Sequence, residues 1–271
     1  MDFSRKLNRI AIKPRVISRM NPVFLQTDSQ LYNDLPDDSQ QPEISETHLQ
    51  ALSQLFVRHS VQDIFGLHLI HGHSQAPSET VMFGVEFTAL DKLNGCWTKP
   101  QPIPALVNRP IHGHIFRLRL DGACCPYEFR DGQADPKANS IQSSFFQAFA
   151  DYLKDNRLAD LLGLELLDRP EDQRSLEFVL GVQGTVMPGK QDFITAFPYR
   201  ITSWTFQAEV GGIVSCKGGT VHAAKKKDGK HQVFIDSKPL QQLTLLLWLF
   251  VKRVLLLELR QRKRLCGGIA N

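Results

Sequence analysis

The stretch FGLHLIHGHSQAP, residues 65–77, combines a strand-like pattern of large apolar residues with three histidines. If residues 66–73 of this stretch form a β-strand, its alternation places His71 and His73 on one face and His68 on the other. The tetrapeptide IHGH recurs at residues 111–114, so five of the nine histidines of the chain lie in two short segments. We therefore expect a β-rich core in which histidines are concentrated.

The sequence on either side of this stretch favours strands over a regular alternation of strands and helices. Short apolar or alternating segments follow one another from residue 66 to residue 236, and a single helical pattern interrupts them. This order predicts an α+β protein with a mostly antiparallel β-sheet or a barrel-like core.

Three segments have apolar residues at helical spacing. The pattern at about residues 143–158 predicts a helix that covers the sheet with its phenylalanine-rich face. Flanking helices are predicted at about residues 47–58, with Ser45 or Thr47 as the N-cap, and at about residues 240–260.

Composition divides the chain into three parts. Residues 1–45 read as a flexible arm and linker, because a basic start is followed by acidic residues mixed with proline, serine and glutamine. Residues 46–239 are predicted to form a single α+β domain. Residues 240–271 read as an apolar helix with a basic tail.

The apolar segment 240–259 resembles a membrane anchor in hydrophobicity but not in charge. Lys252 and Arg253 lie in its middle and Glu258 lies near its end. A charge at the centre of a bilayer costs roughly 2.5–3.5 kcal/mol on insertion scales. This pattern favours a buried helix, or one that binds a protein partner, over a membrane anchor.

Charge and cysteine content limit the compartment and the partners. The net charge of +4 lacks the dense basic stripe of a nucleic-acid-binding protein, so we expect no nucleic acid partner. Five cysteines without a C-x-x-C motif, and a start without a signal-peptide pattern, indicate an intracellular, cytoplasmic protein. The basic N-terminus leaves a mitochondrial location as the alternative.

The two H-x-H pairs are the candidate chemistry of the chain. Two histidines at positions i and i+2 of a strand can reach one metal ion, and neutral imidazole is the commonest protein ligand. If both pairs face one interior, His71, His73, His112 and His114 form a metal site with Glu86 as the carboxylate ligand. Further candidates are Glu79, His222 and His231. Such donors favour Fe(II), Mn or Zn.

Two other interpretations of these histidines stay open. Histidines on an apolar face often form hydrogen bonds with the backbone of a core, and they also serve as acid–base or substrate-binding groups. We favour a non-catalytic binding or interaction protein with structural histidines. The alternative is a metal-dependent oxidoreductase, lyase or hydrolase acting on a small organic molecule.

Two resemblances accompany these patterns. Residues 66–84 resemble the first cupin motif through Gly66, His71, His73, Glu79 and Gly84, which would imply a cupin fold, although each spacing differs by one or two residues and the second cupin motif has no match. Residues 50–240 resemble a group of uncharacterised, mainly fungal proteins. That resemblance is carried by residues 66–84, 113–116 with 121–122, 149–153, 161–165 and 177–180. It implies no catalytic residue.

Overall fold

The computed structural model describes residues 28–88, 94–119, 123–167, 174–188, 199–209, 214–217, 219–227 and 230–233. The α-helices in these residues are α1 (Asp28–Asn33), α2 (Glu46–Arg58), α3 (Pro136–Asn139) and α4 (Ser143–Asp155). The strands are β1 (Phe65–Leu69), β2 (Thr80–Thr88), β3 (Asn94–Pro102), β4 (Ile111–Leu118), β5 (Cys124–Asp131), β6 (Leu162–Leu166), β7 (Arg174–Val179), β8 (Thr185–Pro188), β9 (Tyr199–Ile201), β10 (Ser203–Ala208), β11 (Val214–Lys217), β12 (Gly219–Lys227) and β13 (Lys230–Val233).

These thirteen strands, counted within the described residues, belong to one sheet. Their order is β11-β10-β1-β6-β4-β5-β2-β3-β8-β7-β12-β13, and β9 also pairs with β12. The α+β class is thus confirmed. The sheet is mixed, however, because β2 runs parallel to β5 and β7 runs parallel to β12. The sheet is therefore not antiparallel throughout.

Residues 199–208 link two strands that lie far apart in this order, β1 and β12. Here β9 pairs with β12 and β10 pairs with β1, and only Thr202 separates β9 from β10. The amide of Thr202 donates to the carbonyl of Thr220 at 2.9 Å, and the carbonyl of Thr202 accepts from the amide of Leu69 at 2.7 Å. The strand pairings therefore return to their starting point and enclose an interior.

The main apolar core lies between helices α2 and α4 and one side of the sheet. Phe56 of α2 meets Phe145 and Phe149 of α4 edge to face, with ring centroids 5.3 and 5.7 Å apart. Ser45 begins α2 and accepts a hydrogen bond from the amide of His48 at 3.3 Å. The predicted covering helix and the predicted cap are both confirmed.

The opposite side of the same strands is polar. In β1, Phe65, Leu67 and Leu69 belong to the apolar core, so the alternation of the strand turns His68 to the other side. In β6, the same alternation turns Glu165 away from the helices. Seven buried side chains give the interior its chemistry: His68, His71, His114, Glu128, Glu165, Glu177 and His222.

Two predictions about the N-terminal half are wrong in detail. The strand predicted over residues 66–73 ends at Leu69, so its period of two does not extend to His71 and His73. The linker predicted before residue 46 is folded from residue 28 onward, where Tyr32 and Leu35 are buried in a small apolar cluster. Both errors follow from long-range contacts that composition does not record.

Some predictions fall outside the described part of the chain. The basic arm before residue 28, the apolar helix at 240–260 and the basic tail belong to this group. Within the described ranges, none of the helices has the length and hydrophobicity needed to span a membrane.

Candidate metal centre

Four buried side chains meet in the interior of the sheet. Among the described residues, His71, His73, Glu177 and His222 each offer one ligand atom, and these four atoms lie within 4.8 Å of one another. The ring centroids of the histidines are separated by 4.7 Å (His71 to His73), 5.0 Å (His71 to His222) and 4.9 Å (His73 to His222). Ligands that share one ion require this degree of convergence.

The sheet positions two of these four residues and a loop positions the other two. His222 of β12 is the register partner of Glu177 in the parallel strand β7, so their side chains leave the sheet side by side. The chain leaves β1 at Leu69, and the loop that follows carries His71 and His73 over the same point. The site therefore needs both the closed sheet and the loop.

Hydrogen bonds fix His222 between two carboxylates. Its Nδ1 lies 2.8 Å from Oδ2 of Asp38, and its Nε2 lies 2.9 Å from Oε2 of Glu177. The other oxygen of Glu177 lies 3.4 Å from Nε2 of His73. A carboxylate on the far nitrogen of a ligand histidine is the usual arrangement at metal sites, since it fixes the ring and raises its basicity. Asp38 occupies that position here.

His71 is oriented by the backbone. Its Nδ1 donates to the carbonyl oxygen of Leu69 at 2.5 Å, which leaves Nε2 with its lone pair in the neutral ring. Burial, followed by the electrostatic influence of His73 and His222, lowers the pKa of His71 well below its usual value. When one nitrogen of a neutral imidazole donates a hydrogen bond, the other nitrogen keeps its lone pair and can bind a metal ion.

The carboxylates and His222 stabilise each other's charges. Burial opposes the charge of His222, but its hydrogen bonds to Asp38 and Glu177 raise its pKa to about 9. Burial alone would raise the pKa of both carboxyl groups. His222 lowers the pKa of Asp38 below its usual range, and His73 together with His222 does the same for Glu177. Two anions thus face a site that also contains imidazole nitrogens.

A second group of polar side chains lies beside the ligands. The rings of His68 and His71 stack with centroids 5.1 Å apart, and Nδ1 of His68 lies 3.3 Å from the hydroxyl of Tyr127. Burial lowers the pKa of His68 to about 4. Burial, with the negative charge of Glu177 as the next cause, raises the pKa of Glu128 to about 8. Glu128 is therefore a carboxyl that keeps its proton at neutral pH.

The other predicted ligands do not belong to this group of four residues. His114 faces Glu165, with 3.5 Å between Nε2 and Oε1. A break in the pairing register of β4 with β5 falls between Gly113 and Ile115, so His112 and His114 are separated by a bulge and the period of two is lost.

His112 and Glu86 share a different location, a cavity of about 430 Å³ on the sheet. The Nδ1 of His112 donates to the carbonyl of Gly132 at 3.1 Å. Neither residue belongs to the group formed by His71, His73, Glu177 and His222.

The sequence offered unequal signals for the remaining site residues. His222 is a secondary candidate for a metal ligand on the basis of its residue type alone. Glu177 interrupts a buried apolar strand between Leu176 and Phe178, and a carboxylate in such a strand is a usable signal for a site. Asp38 lies among several other acidic residues, and no local pattern distinguishes it.

Comparison of the chain with known protein families, with curated proteins and with solved structures finds no match.

Proposed function

We propose that this protein binds one divalent transition-metal ion through His71, His73, Glu177 and His222. The observation that supports this best is the convergence of one ligand atom from each of the four side chains within 4.8 Å. Three imidazoles and one carboxylate, without a thiolate, form a donor set suited to Fe(II), Mn(II) or Zn(II).

The orientation of the ligand rings supports the same proposal. Asp38 holds one nitrogen of His222 and the carbonyl of Leu69 holds one nitrogen of His71, so each ring directs its other nitrogen towards the common point. The Nε2 proton of His222, now hydrogen-bonded to Glu177, would leave when an ion binds.

The role that fits this donor set is metal-assisted chemistry on a small organic molecule. Fe(II) and Mn(II) prefer six ligands, so four protein ligands leave two positions for water or substrate. Glu128, with its pKa of about 8, lies in the same interior and is suited to give or take a proton near neutral pH. We therefore propose that the protein is a metal-dependent enzyme.

One observation favours a second candidate, a non-catalytic protein in which these histidines are structural. Both nitrogens of His222 already have carboxylate partners, at 2.8 and 2.9 Å. A buried imidazolium between two carboxylates is a complete hydrogen-bonded network that needs no metal.

Elemental analysis of the purified full chain separates the two candidates. After anaerobic reconstitution with Fe(II), Mn(II), Co(II) or Zn(II) in turn, the proposal expects about one equivalent of at least one metal per chain. Less than about a tenth of an equivalent of every metal would refute it in favour of the structural network.

Matched variants locate the ion. Glu177→Gln and His73→Gln should lose most of the bound metal, whereas His112→Gln, at a buried histidine outside the group, should retain it. Circular dichroism of each variant separates loss of ligands from loss of fold. Equal loss in His112→Gln would refute the assignment of the ligands.

A further inference from the structure

Residues 28–42, which we call the strap, lie directly on the turn that carries two of the ligands. Gly72, between His71 and His73, is so close to the strap that an added Cβ would lie 3.4 Å from Cβ of Leu35 and 3.4 Å from the carbonyl oxygen of Tyr32. The amide of Gly72 donates to the carbonyl of Pro36 at 3.0 Å. The strap therefore covers the ligand turn.

The strap is also tied to the site from its other end. Asp38 holds His222 at 2.8 Å, as described above. The guanidinium of Arg200, next to the point where the sheet closes, donates to the carbonyl oxygens of Asp38, Gln41 and Pro42. Each of these contacts links the strap to the metal ligands or to residues beside them.

The strap has little regular structure of its own to keep it in place. It contains one helix of six residues, α1, and one 3-10 turn of three residues, Asp38–Gln40. Isolated helices shorter than about 12 residues are marginal in water, so contacts with the rest of the protein hold the strap. Its apolar anchors are Tyr32 and Leu35, in a small cluster separate from the main core.

The ligands are closed off from solvent while the strap is in place. His222 is 0% exposed and His71 is 3% exposed. The side chains of His73 and Glu177 are 6% and 9% exposed. An ion and any small substrate therefore need part of the structure to move, and a segment held by few apolar contacts opens at a lower free-energy cost than a sheet.

We propose that the strap is a gate: it lifts as a unit to admit the ion and small ligands to the metal centre, and it closes again through Asp38, Leu35 and Tyr32. This inference rests on the metal site proposed above. Because Asp38 binds the far side of a ligand ring, closing of the strap and occupancy of the site favour each other, and this coupling is reciprocal.

A reversible cross-link tests the gate. The distance of 3.4 Å between the Cβ positions of residues 35 and 72 is close to the range of about 3.5–4.5 Å found in disulfides, so Leu35→Cys with Gly72→Cys should join the strap to the ligand turn. The protein is loaded with Co²⁺ in its reduced form, part of it is oxidised, and release of Co²⁺ to an excess of chelator is followed in both forms.

The gate predicts that the oxidised double variant releases Co²⁺ at least about tenfold more slowly than the same protein after reduction. Leu35→Cys and Gly72→Cys alone, given the same oxidant, control for the native cysteines and should show no such difference. Equal release rates in the cross-linked and reduced forms would refute the gate while leaving the metal site standing. Failure of the wild-type chain to bind any metal would refute the site itself.

Hydrogen exchange gives a second measurement that does not depend on the cross-link. The amide of Gly72, bonded to Pro36, should exchange through an opening that costs less free energy than global unfolding, and saturating Co²⁺ should slow it. Exchange of this amide only by global unfolding, at the rate of the slowest core amides, would overturn the gate.

Discussion

Replacement of Asp38 by asparagine should weaken metal binding without removing a ligand. Asparagine keeps the size of the side chain, and its carbonyl oxygen can still accept from Nδ1–H of His222, which lies 2.8 Å from the native carboxylate. What disappears is the negative charge that makes the ring a stronger base. Loss of such a partner typically lowers metal affinity by about 10–100-fold, which corresponds to about 1.4–2.7 kcal/mol.

The size of this effect should depend on pH. The pKa of His222 is about 9 in the wild type, because its hydrogen bonds to Asp38 and Glu177 outweigh burial. A metal ion must displace that proton, so the apparent affinity falls about tenfold for each pH unit below 9 and is reduced about 100-fold at pH 7. Asp38→Asn lowers the pKa of His222, so competition from the proton reduces the metal affinity of the variant less than that of the wild type. The ratio of wild-type to variant affinity should therefore be smaller at pH 7 than at pH 9.

A competition titration of Co²⁺ against a coloured chelator at pH 7 and pH 9 measures both quantities. Asp34→Asn, at an exposed acidic residue of the same strap, is the matched control and should bind as the wild type does. Affinities of Asp38→Asn and the wild type within about twofold at pH 9 would show that Asp38 does not support the ligand. A ratio that is the same at both pH values would show that the proton on His222 is not linked to metal binding.

Three further predictions concern stability. Burial raises the pKa of Glu128 to about 8, so the folded protein holds this proton more tightly than the unfolded chain and loses stability as the pH rises from about 4.5 to about 8. Glu128→Gln should lose less stability than the wild type over this pH range. Parallel pH profiles of the unfolding free energy in urea titrations would contradict this. Gly184→Ala should lower the free energy of unfolding by about 3 kcal/mol or more, because φ at Gly184 is +91° and the added Cβ would lie 1.9 Å from the carbonyl oxygen of Thr98. An unchanged midpoint of urea unfolding would contradict this. Ser45→Ala should cost about 1 kcal/mol through loss of the cap on α2, whereas Ser45→Thr should retain most of the stability.

Local patterns predicted the elements of this fold better than their arrangement. The helical spacing at residues 46–58 and 143–155 was sufficient to place α2 and α4, because an amphipathic helix shows its buried face in its own sequence. The parallel pairing of β7 with β12 joins residues more than forty positions apart, and nothing in either strand specifies the other. The closure of the sheet at Thr202 likewise depends on pairings between strands that are distant in sequence.

The candidate site was predictable only in part for the same reason. The pair His71 and His73 was predicted to converge from the period of two of a strand, whereas the structure brings the two rings together in the loop after β1. Their partners come from β7, β12 and the strap, and those contacts are properties of the assembled sheet. Two register shifts, one on each side of Ile115, remove the second H-x-H pair from the predicted position, since one extra residue reverses the side of a strand on which later side chains lie.

The spread of the proposed ligands along the chain has a consequence for folding. Asp38, the loop after β1, Glu177 and His222 are joined only when the N-terminal segment and the last strands have found the same sheet, so the unfolded chain has no preformed site. Contacts between residues so distant in sequence form slowly, because a large loop must close before they contribute. An ion that binds only the folded chain stabilises it by mass action, in proportion to the logarithm of its concentration over Kd. Metal supply would then help to set how much of the newly made protein reaches and keeps its native state.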